Sequence, residues 1–142
     1  MMVHNKLIIF EGCDRSGKSS LRLELLKKIP NILTIDRLMA SNYVYAKYFN
    51  RKEDFEYLRY LDSVLSMRGI IVYCYCDYKT YLKRCKDTKH EIFSEKEYNL
   101  QRKLYDIYLD EETSFNVLNL NTGKYTIKEC VKILIEYIKE RK

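Results

Sequence analysis

The sequence predicts an α/β fold in three layers, an α/β/α sandwich with a parallel β-sheet between two layers of helices. Short apolar runs alternate with longer segments of helical periodicity, in the order β-α-β-α-α-β-α-α-β-α. Strands separated by helices run parallel and are joined by right-handed crossovers. Residues 70–76 (IIVYCYC) are almost continuously apolar, as is typical of a central parallel strand covered on both faces. With 142 residues, one proline and four glycines, the chain is expected to form a single domain over residues 1–142.

Residue types at the ends of these segments supply start and stop signals. Pro30 ends the first helix, Gly69 precedes the most strand-like run, and Ser94 with Glu97 forms a capping box at the start of the fifth helix. The polar residues 86–93 are expected to form a loop. Strands are predicted at residues 6–10, 31–35, 70–76 and 116–120, and helices at residues 18–29, 43–50, 54–67, 79–85, 94–110 and 126–141.

Apolar residues at helical spacing indicate which faces of two helices point to the core. The third helix is expected to bury Leu58, Leu61, Val64 and Leu65. The last helix is expected to bury Ile127, Val131, Leu134, Ile135 and Ile138.

Composition and charge reduce the number of functional classes to which the protein can belong. The formal net charge is +6, but the lysines are scattered through the helical segments, which favours solvated helix faces over a DNA-binding patch. No apolar run approaches the roughly 20 residues of a membrane span, and the short apolar run near the N-terminus does not resemble a signal peptide. We therefore expect a cytoplasmic protein without a membrane partner. The odd number of cysteines, five, favours buried thiols over disulfides or a zinc site.

A glycine-rich segment follows the first predicted strand and opens the first predicted helix. Residues 12–19 read GCDRSGKS and fit the pattern G-x-x-x-x-G-K-[ST]. Glycines let backbone N–H groups curl around an anion, and the helix that follows offers its positive N-terminal end. In this pattern Lys18 reaches the β- and γ-phosphates of ATP, and the Ser19 hydroxyl ligates Mg²⁺. The predicted site for ATP and Mg²⁺ comprises Gly12, Cys13, Asp14, Arg15, Ser16, Gly17, Lys18, Ser19 and Ser20.

Further polar residues follow other predicted strands. Asp36 and Arg37 come directly after the second strand, and Asp77 follows the third. Ligands in parallel α/β sheets bind at the carboxyl ends of the strands, so we expect these residues to lie at one site with the phosphate loop. The chain lacks the N-K-x-D element of guanine-reading switches and is short for a motor ATPase. A kinase is the remaining expectation.

Two specific motifs resemble the thymidylate kinase family. Residues 10–20 (FEGCDRSGKSS) match its phosphate loop, F-E-G-x-D-x-x-G-K-[ST]-[ST], and residues 36–45 (DRLMASNYVY) resemble its D-R-[YF]-x-x-S-x-x-A-[YF]. Two weaker likenesses follow, at residues 71–77 with Lys83 and Arg84, and at residues 99–109 with Arg102. Together they cover most of the chain in the family's order. The resemblance implies a P-loop kinase fold and phosphoryl transfer from ATP to a nucleoside monophosphate.

The resemblance also implies roles for individual residues. Arg15 would supply positive charge to the transferring phosphoryl group, and Asp14 would position the acceptor. Arg37 would hold the acceptor phosphate, and Asp36 would support Mg²⁺ through water. On the acceptor side, Ser41 matches the motif and Tyr45 would pack beside the deoxyribose. Family members without an arginine in the phosphate loop use lid arginines instead, and residues 86–93 contain none, so the resemblance favours Arg15 as the source of this positive charge. Arg84, the only arginine near the lid, would lie beside ATP.

The interval between the two specific motifs is much shorter than in the family. Only residues 20–35 separate Ser19 from Asp36, and the family's longer interval contains the helices that grip thymine. Either the side chains after the second motif line a new acceptor pocket, or they pack in the core. These side chains are Tyr43, Phe49, Arg51, Phe55 and Arg59.

The identity of the acceptor therefore stays open at this point. A small nucleotide is favoured, and the alternatives are a deoxynucleoside, a polynucleotide 5′-hydroxyl, or nucleotide binding without catalysis. The apolar stripe of the third helix is compatible with a homodimer as well as with a core face.

Overall fold

Four parallel strands form one sheet in the order β2-β1-β3-β4 in the computed structural model, which describes residues 6–86 and 91–141. The strands are β1 (Leu7–Glu11), β2 (Leu33–Asp36), β3 (Gly69–Tyr75) and β4 (Asn116–Asn121). In the centre of the sheet, Ile9 of β1 lies opposite Ile35 of β2 and Ile71 of β3. The carboxyl ends of all four strands therefore meet at one edge, as predicted.

The helices occur in the predicted order. They are α1 (Lys18–Lys28), α2 (Met39–Tyr48), α3 (Phe55–Leu65), α4 (Tyr78–Arg84), α5 (Glu95–Ile107) and α6 (Ile127–Glu140), with a π-helical turn at Tyr108–Glu112 after α5. Of the predicted loop 86–93, residues 87–90 lie outside the described part of the chain. Within that part, no helix is both long enough and apolar enough to cross a membrane.

Alternating side chains of the strands enter two cores, one on each face of the sheet. Ile8 and Phe10 of β1 face α1 and α6, whereas Leu7 and Ile9 face α2, α3 and α5. This alternation follows from the two-residue period of a strand. The three-layer α/β/α architecture predicted from the sequence is confirmed.

Helix α2 begins at Met39, four residues before the predicted start at position 43. Its first turn has no local capping side chain, and the carboxylate of Glu11 takes that role from the end of β1. Oε2 of Glu11 accepts hydrogen bonds from the backbone N–H groups of Leu38 (3.1 Å) and Ser41 (3.3 Å). Because this cap lies about thirty residues away, no local pattern marks the start of the helix.

Helix α3 buries a carboxylate that the predicted stripe did not include. Leu58 is buried as expected, but Val64 is 46% exposed and Asp62 is only 1% exposed. The Asp62 carboxylate accepts hydrogen bonds from the Tyr108 hydroxyl (2.8 Å) and the Ser114 backbone N–H (2.7 Å). These bonds turn α3 so that Asp62 points inward, and the prediction that Val64 is buried is wrong.

Other local predictions are confirmed. Ser94 and Glu97 form the capping box of α5, and an equivalent pair that the prediction did not include, Thr126 and Glu129, starts α6. In α6, Val131, Leu134 and Ile138 are buried, while Ile127 and Ile135 are partly buried. All five cysteine thiols are buried, as expected.

Candidate functional site

The phosphate loop, Gly12–Ser19, passes directly against the end of β3. Gly12 has φ +145°, and a Cβ at this position would overlap the carbonyl oxygen of Cys74. Gly17 has φ +91°, and a Cβ there would lie 3.2 Å from the side chain of Thr122. Both positions combine a left-handed backbone with close packing, which only glycine tolerates. The loop can therefore take this shape only with glycine at positions 12 and 17.

A cavity of about 910 Å³ lies above the carboxyl edge of the sheet. Ten of the predicted site residues line it: Asp14, Arg15, Ser16, Gly17, Lys18, Ser19, Ser20, Asp36, Arg37 and Arg84. Tyr81, Cys85, Glu91 and Ile127 complete the described lining. The structure therefore brings together the phosphate loop, the residues after β2 and the end of α4.

Four predicted site residues are not among those described as lining the cavity. Gly12 and Cys13 are buried behind the loop, and Ser41 is only 3% exposed. Tyr45 lies behind Arg37, half-buried. Asp77, which also follows a strand, caps the start of α4 by accepting a hydrogen bond from the backbone N–H of Thr80 (2.8 Å).

Lys18 is buried within the phosphate loop. Its Nζ donates a hydrogen bond to the carbonyl oxygen of Cys13 at 3.4 Å, and the residue is only 7% exposed. Burial lowers the pKa of Lys18, and the nearby charge of Arg37 lowers it further. A ligand that carries negative charge would relieve both effects.

Arg37 connects the phosphate loop to the segment after β2. Its backbone is left-handed (φ +67°), and its Nη2 lies 2.6 Å from Oδ1 of Asp14. The guanidinium lies over the ring of Tyr45, 5.2 Å from its centroid. Arg37 therefore faces the cavity with a carboxylate on one side and an aromatic ring on the other.

A buried polar network supports this arrangement from behind. The Ser41 hydroxyl donates to Glu11 and lies 2.7 Å from the hydroxyl of Tyr105, which in turn donates to the Gly12 carbonyl (3.1 Å). Burial raises the pKa of Glu11, although the hydrogen bonds from Ser41 and Leu38 oppose the shift. The network ties α2 and α5 to the start of the phosphate loop.

Sequence reasoning missed Glu11 and Tyr105, although both stand inside motifs that it used. An acid that closes an apolar strand just before a glycine loop is the signal that identifies Glu11. Tyr105 carries no such signal, since many tyrosines in this chain pack in the core.

Arg84 lies close to the back of the phosphate loop. Nη1 donates to the carbonyl of Arg15 (2.8 Å) and to the Thr122 hydroxyl (3.0 Å), and Nη2 donates to the Thr122 carbonyl (2.7 Å). The Thr122 hydroxyl donates to the carbonyl of Ser16. Sequence reasoning also missed Thr122, which follows β4.

Arg102 is placed differently from the other arginines. Its guanidinium lies over the ring of Tyr75, 5.2 Å from the centroid, and it is not among the described residues that line the cavity. Its surroundings indicate a packing contact between α5 and β3.

The cavity offers oxygen ligands that suit Mg²⁺. Ser19 and Asp36 are exposed and line it together, so a hydroxyl and a carboxylate are available. Mg²⁺ keeps several waters and usually takes one or two protein ligands together with phosphate oxygens. Among the described residues, no group of three or more His, Cys, Asp or Glu side chains could hold a metal. The residues thus fit a magnesium ion that arrives with a nucleotide.

Solved structures with the same architecture include three nucleotide-related proteins. YorR protein from Bacillus subtilis, in complex with phosphorylated GDP, aligns with a TM-score of 0.80 and 22% identity over 94% of this chain and 95% of that chain. Thymidylate kinase from Candida albicans aligns with a TM-score of 0.64 and 17% identity, over 94% of this chain and 91% of that one. The chain has the P-loop kinase fold.

A third similar structure is deoxyadenosine kinase from M. mycoides with bound dCTP. It aligns with a TM-score of 0.66 and 16% identity, over 95% of this chain and 99% of that one. No protein-family model and no curated protein matches the sequence. The P-loop kinase fold implied by the motifs is confirmed, and at these identities the likeness shows the fold alone.

Proposed function

We propose that this P-loop kinase-fold protein transfers the γ-phosphoryl group of ATP to a nucleoside or deoxynucleoside monophosphate. The observation that carries the proposal is the lining of one cavity by Lys18 and Arg15 of the phosphate loop together with Arg37. Phosphoryl transfer depends on alignment and on neutralising charge rather than on a nucleophilic side chain. Three cations around one cavity supply that neutralisation.

The phosphate loop forms the donor side of the proposed reaction. Its backbone N–H groups and Lys18 bind the phosphates of ATP, and Arg15 faces the phosphoryl group in transfer. Ser19, with Asp36 through water, would hold Mg²⁺, which supplies further positive charge to the phosphate oxygens when bound. The bond from the γ-phosphorus to the β-phosphate oxygen breaks, and ADP leaves.

Arg37 and Asp14 form the acceptor side. Arg37 binds the acceptor phosphate, one ionised oxygen of which forms the new bond to phosphorus. No proton has to be removed from such an acceptor, so no general base is needed. Tyr45 lies under Arg37, outside the described lining of the cavity, so in this proposal its ring supports the guanidinium.

A deoxynucleoside is the second candidate acceptor. It is favoured by the position of the Asp14 carboxylate, which lines the cavity. The 5′-hydroxyl of a nucleoside must lose a proton during attack, and Asp14 is an exposed carboxylate in the same cavity. Its contact with Arg37, 2.6 Å between Oδ1 and Nη2, would orient it.

The test is an ADP-release assay with ATP, Mg²⁺ and one acceptor at a time. The acceptors are the common ribo- and deoxynucleoside monophosphates, the nucleosides, and an oligonucleotide with a free 5′-hydroxyl. Turnover with monophosphates alone supports the first proposal, and turnover with nucleosides alone selects the second. Turnover of the oligonucleotide alone, or ATP binding without any turnover, would overturn both.

We further propose that the chain forms one domain over residues 1–142, lies in the cytoplasm and forms a homodimer, with which the apolar stripe of α3 is compatible. The exposed face of α3 carries Tyr57, Tyr60 and Val64. Light scattering on Tyr60→Ser and the wild type would show whether this face joins two copies.

A further inference from the structure

The carbonyl groups of the phosphate loop need partners on the side away from the ligand. A planar trans peptide places its C=O and N–H on opposite sides, so an N–H directed at phosphate sends the carbonyl outward. In this loop the peptide between Ser16 and Gly17 places the Ser16 carbonyl on the Thr122 side and the Gly17 N–H on the other. The Ser16 carbonyl accepts from the Thr122 hydroxyl.

Arg84 holds the neighbouring peptide from its carbonyl side, whereas the N–H of that peptide, on Ser16, donates to the Cys13 carbonyl within the loop (3.2 Å). Its Nη1 donates to the carbonyl of Arg15 at 2.8 Å. Arg15 has φ +62°, a left-handed conformation that is costly for a residue with a side chain. A charged donor on its carbonyl stabilises that conformation, and with it the direction of the Arg15 side chain.

Arg84 and Thr122 also bind each other, so the two form one unit. Arg84 donates to the Thr122 hydroxyl (3.0 Å) and carbonyl (2.7 Å). Thr122 is itself anchored, because its backbone N–H donates to the carbonyl of Tyr75 at 2.9 Å. Its side chain packs against Gly17, where a Cβ would come within 3.2 Å. The unit therefore connects the phosphate loop to the ends of β3 and β4.

We infer that Arg84 and Thr122 are positioning residues that hold the phosphate loop, with Arg15, in the shape needed for phosphoryl transfer. In this role Arg84 acts on ATP through the loop backbone rather than by contact with the nucleotide. The effects that we expect on kcat from changes at Arg84 and Thr122 rest on the proposed kinase function. The effects that we expect on ATP affinity do not. The pairing predicts that loss of the Thr122 hydroxyl has the same consequences as loss of the Arg84 guanidinium.

The decisive variants are Thr122→Val, which removes the hydroxyl at nearly constant shape, and Thr122→Ser, which keeps it. Calorimetric titration with MgATP should show binding weakened about tenfold in Thr122→Val, because the Ser16 carbonyl loses its partner, and nearly unchanged in Thr122→Ser. With an active acceptor, Thr122→Val should also lower kcat about tenfold without changing the acceptor KM. Thr34→Val is the matched control. The Thr34 hydroxyl, on β2, accepts a hydrogen bond from Nε of Arg22 at 2.7 Å, and Thr34 is not among the described residues that line the cavity.

Arg84 variants separate positioning from direct contact with phosphate. Arg84→Lys keeps the positive charge but replaces the planar two-nitrogen fork by a single ammonium nitrogen, so positioning predicts a loss close to that of Arg84→Ala. The double variant Arg84→Ala with Thr122→Val should lose little more than the larger single loss, because the two residues act as one unit. In the Arg84→Ala background, Arg15→Ala should cost far less in kcat than in the wild type.

Three results would overturn the inference. They are wild-type MgATP affinity in Thr122→Val, full function in Arg84→Lys, and additive losses in the double variant. Thermal unfolding of every variant shows whether a loss comes from misfolding, and the comparison of Thr122→Val with Thr122→Ser remains valid for any pair that stays folded. If no acceptor turns over, the kinase proposal fails, but the MgATP titrations still decide the role of Thr122 and Arg84.

Discussion

The donor and acceptor sides of the cavity are held in different ways. The donor side is a continuous loop whose shape depends on two glycines; its Arg15 side chain is exposed, whereas Lys18 is buried within the loop. On the acceptor side, Arg37 lies beside a buried network that joins Glu11, Ser41 and Tyr105 from three distant segments, since Arg37 and Tyr105 both donate to the Gly12 carbonyl. We therefore expect changes of donor side chains to alter rate without altering stability. Changes in the buried network next to Arg37 should alter both the reaction rate and the stability of the fold.

The largest expected effect is on the donor side. Arg15→Ala should lower kcat about a hundredfold or more while the Kd for ATP stays nearly constant, because the charge acts on the phosphoryl group in transfer. Steady-state kinetics with MgATP titrations test this. Lys83→Ala, which removes an exposed cation of α4 outside the cavity lining, is the control. A loss below about threefold would show that other cations carry this charge.

On the acceptor side, Arg37→Ala should reduce kcat/KM for the acceptor roughly tenfold to a hundredfold, the range for lost hydrogen bonds to a charged group. The Kd for ATP alone should change little. Arg22→Ala is a suitable control, because Nε of Arg22 donates to the Thr34 hydroxyl at 2.7 Å and Arg22 is not among the described residues that line the cavity. If only the affinity for ATP changes, Arg37 acts on the donor side, and the proposed division between donor and acceptor sides is wrong.

Ser41→Ala tests whether the acceptor side is coupled to stability. The change removes the hydroxyl that donates to Oε1 of Glu11 and contacts the Tyr105 hydroxyl, while Oε2 of Glu11 keeps its backbone donors and Tyr105 keeps the Gly12 carbonyl. The free energy of unfolding should therefore fall by about 1–2 kcal/mol. Denaturant unfolding measures it, and Ser63→Ala on the exposed face of α3 is the control. If stability is unchanged while the acceptor KM rises more than tenfold, Ser41 contacts the substrate, as the sequence motif implied.

The smallest expected effect is a dependence of stability on pH. Burial raises the pKa of Glu11 in the folded protein above its usual value of 4.5, although the hydrogen bonds and the charge of Arg37 oppose the shift. The folded state then binds more protons than the unfolded state between the two pKa values, so stability falls as pH rises through that window. Calorimetry of the wild type and Glu11→Gln from pH 4 to pH 8 should show this decline in the wild type only. Parallel curves would mean that Glu11 titrates normally.

The parts of the molecule that depend on local chemistry could be predicted from the sequence. The phosphate loop was found because its glycines, Lys18 and Ser19 stand at fixed spacing between a strand and a helix. The order of elements followed from periodicity, and the capping box of α5 from two residues three positions apart. In each case the interacting groups are neighbours along the chain.

The parts that depend on distant contacts could not be predicted. Glu11 caps α2 across about thirty residues, and Asp62 turns α3 by binding residues beyond α5. Thr122 supports the phosphate loop from the other end of the chain, about a hundred residues away. Hydrophobic periodicity carries no signal for such contacts, since each depends on a single polar side chain.

The burial of Cys13 affects how the phosphate loop would respond to thiol reagents. The thiol is 3% exposed, and burial raises its pKa to about 12, so almost none of it is thiolate at neutral pH. Oxidants and alkylating agents should leave the native loop intact. Alkylation of Cys13 would then report the rare moments when the loop opens, and ligands that hold it closed should slow the reaction.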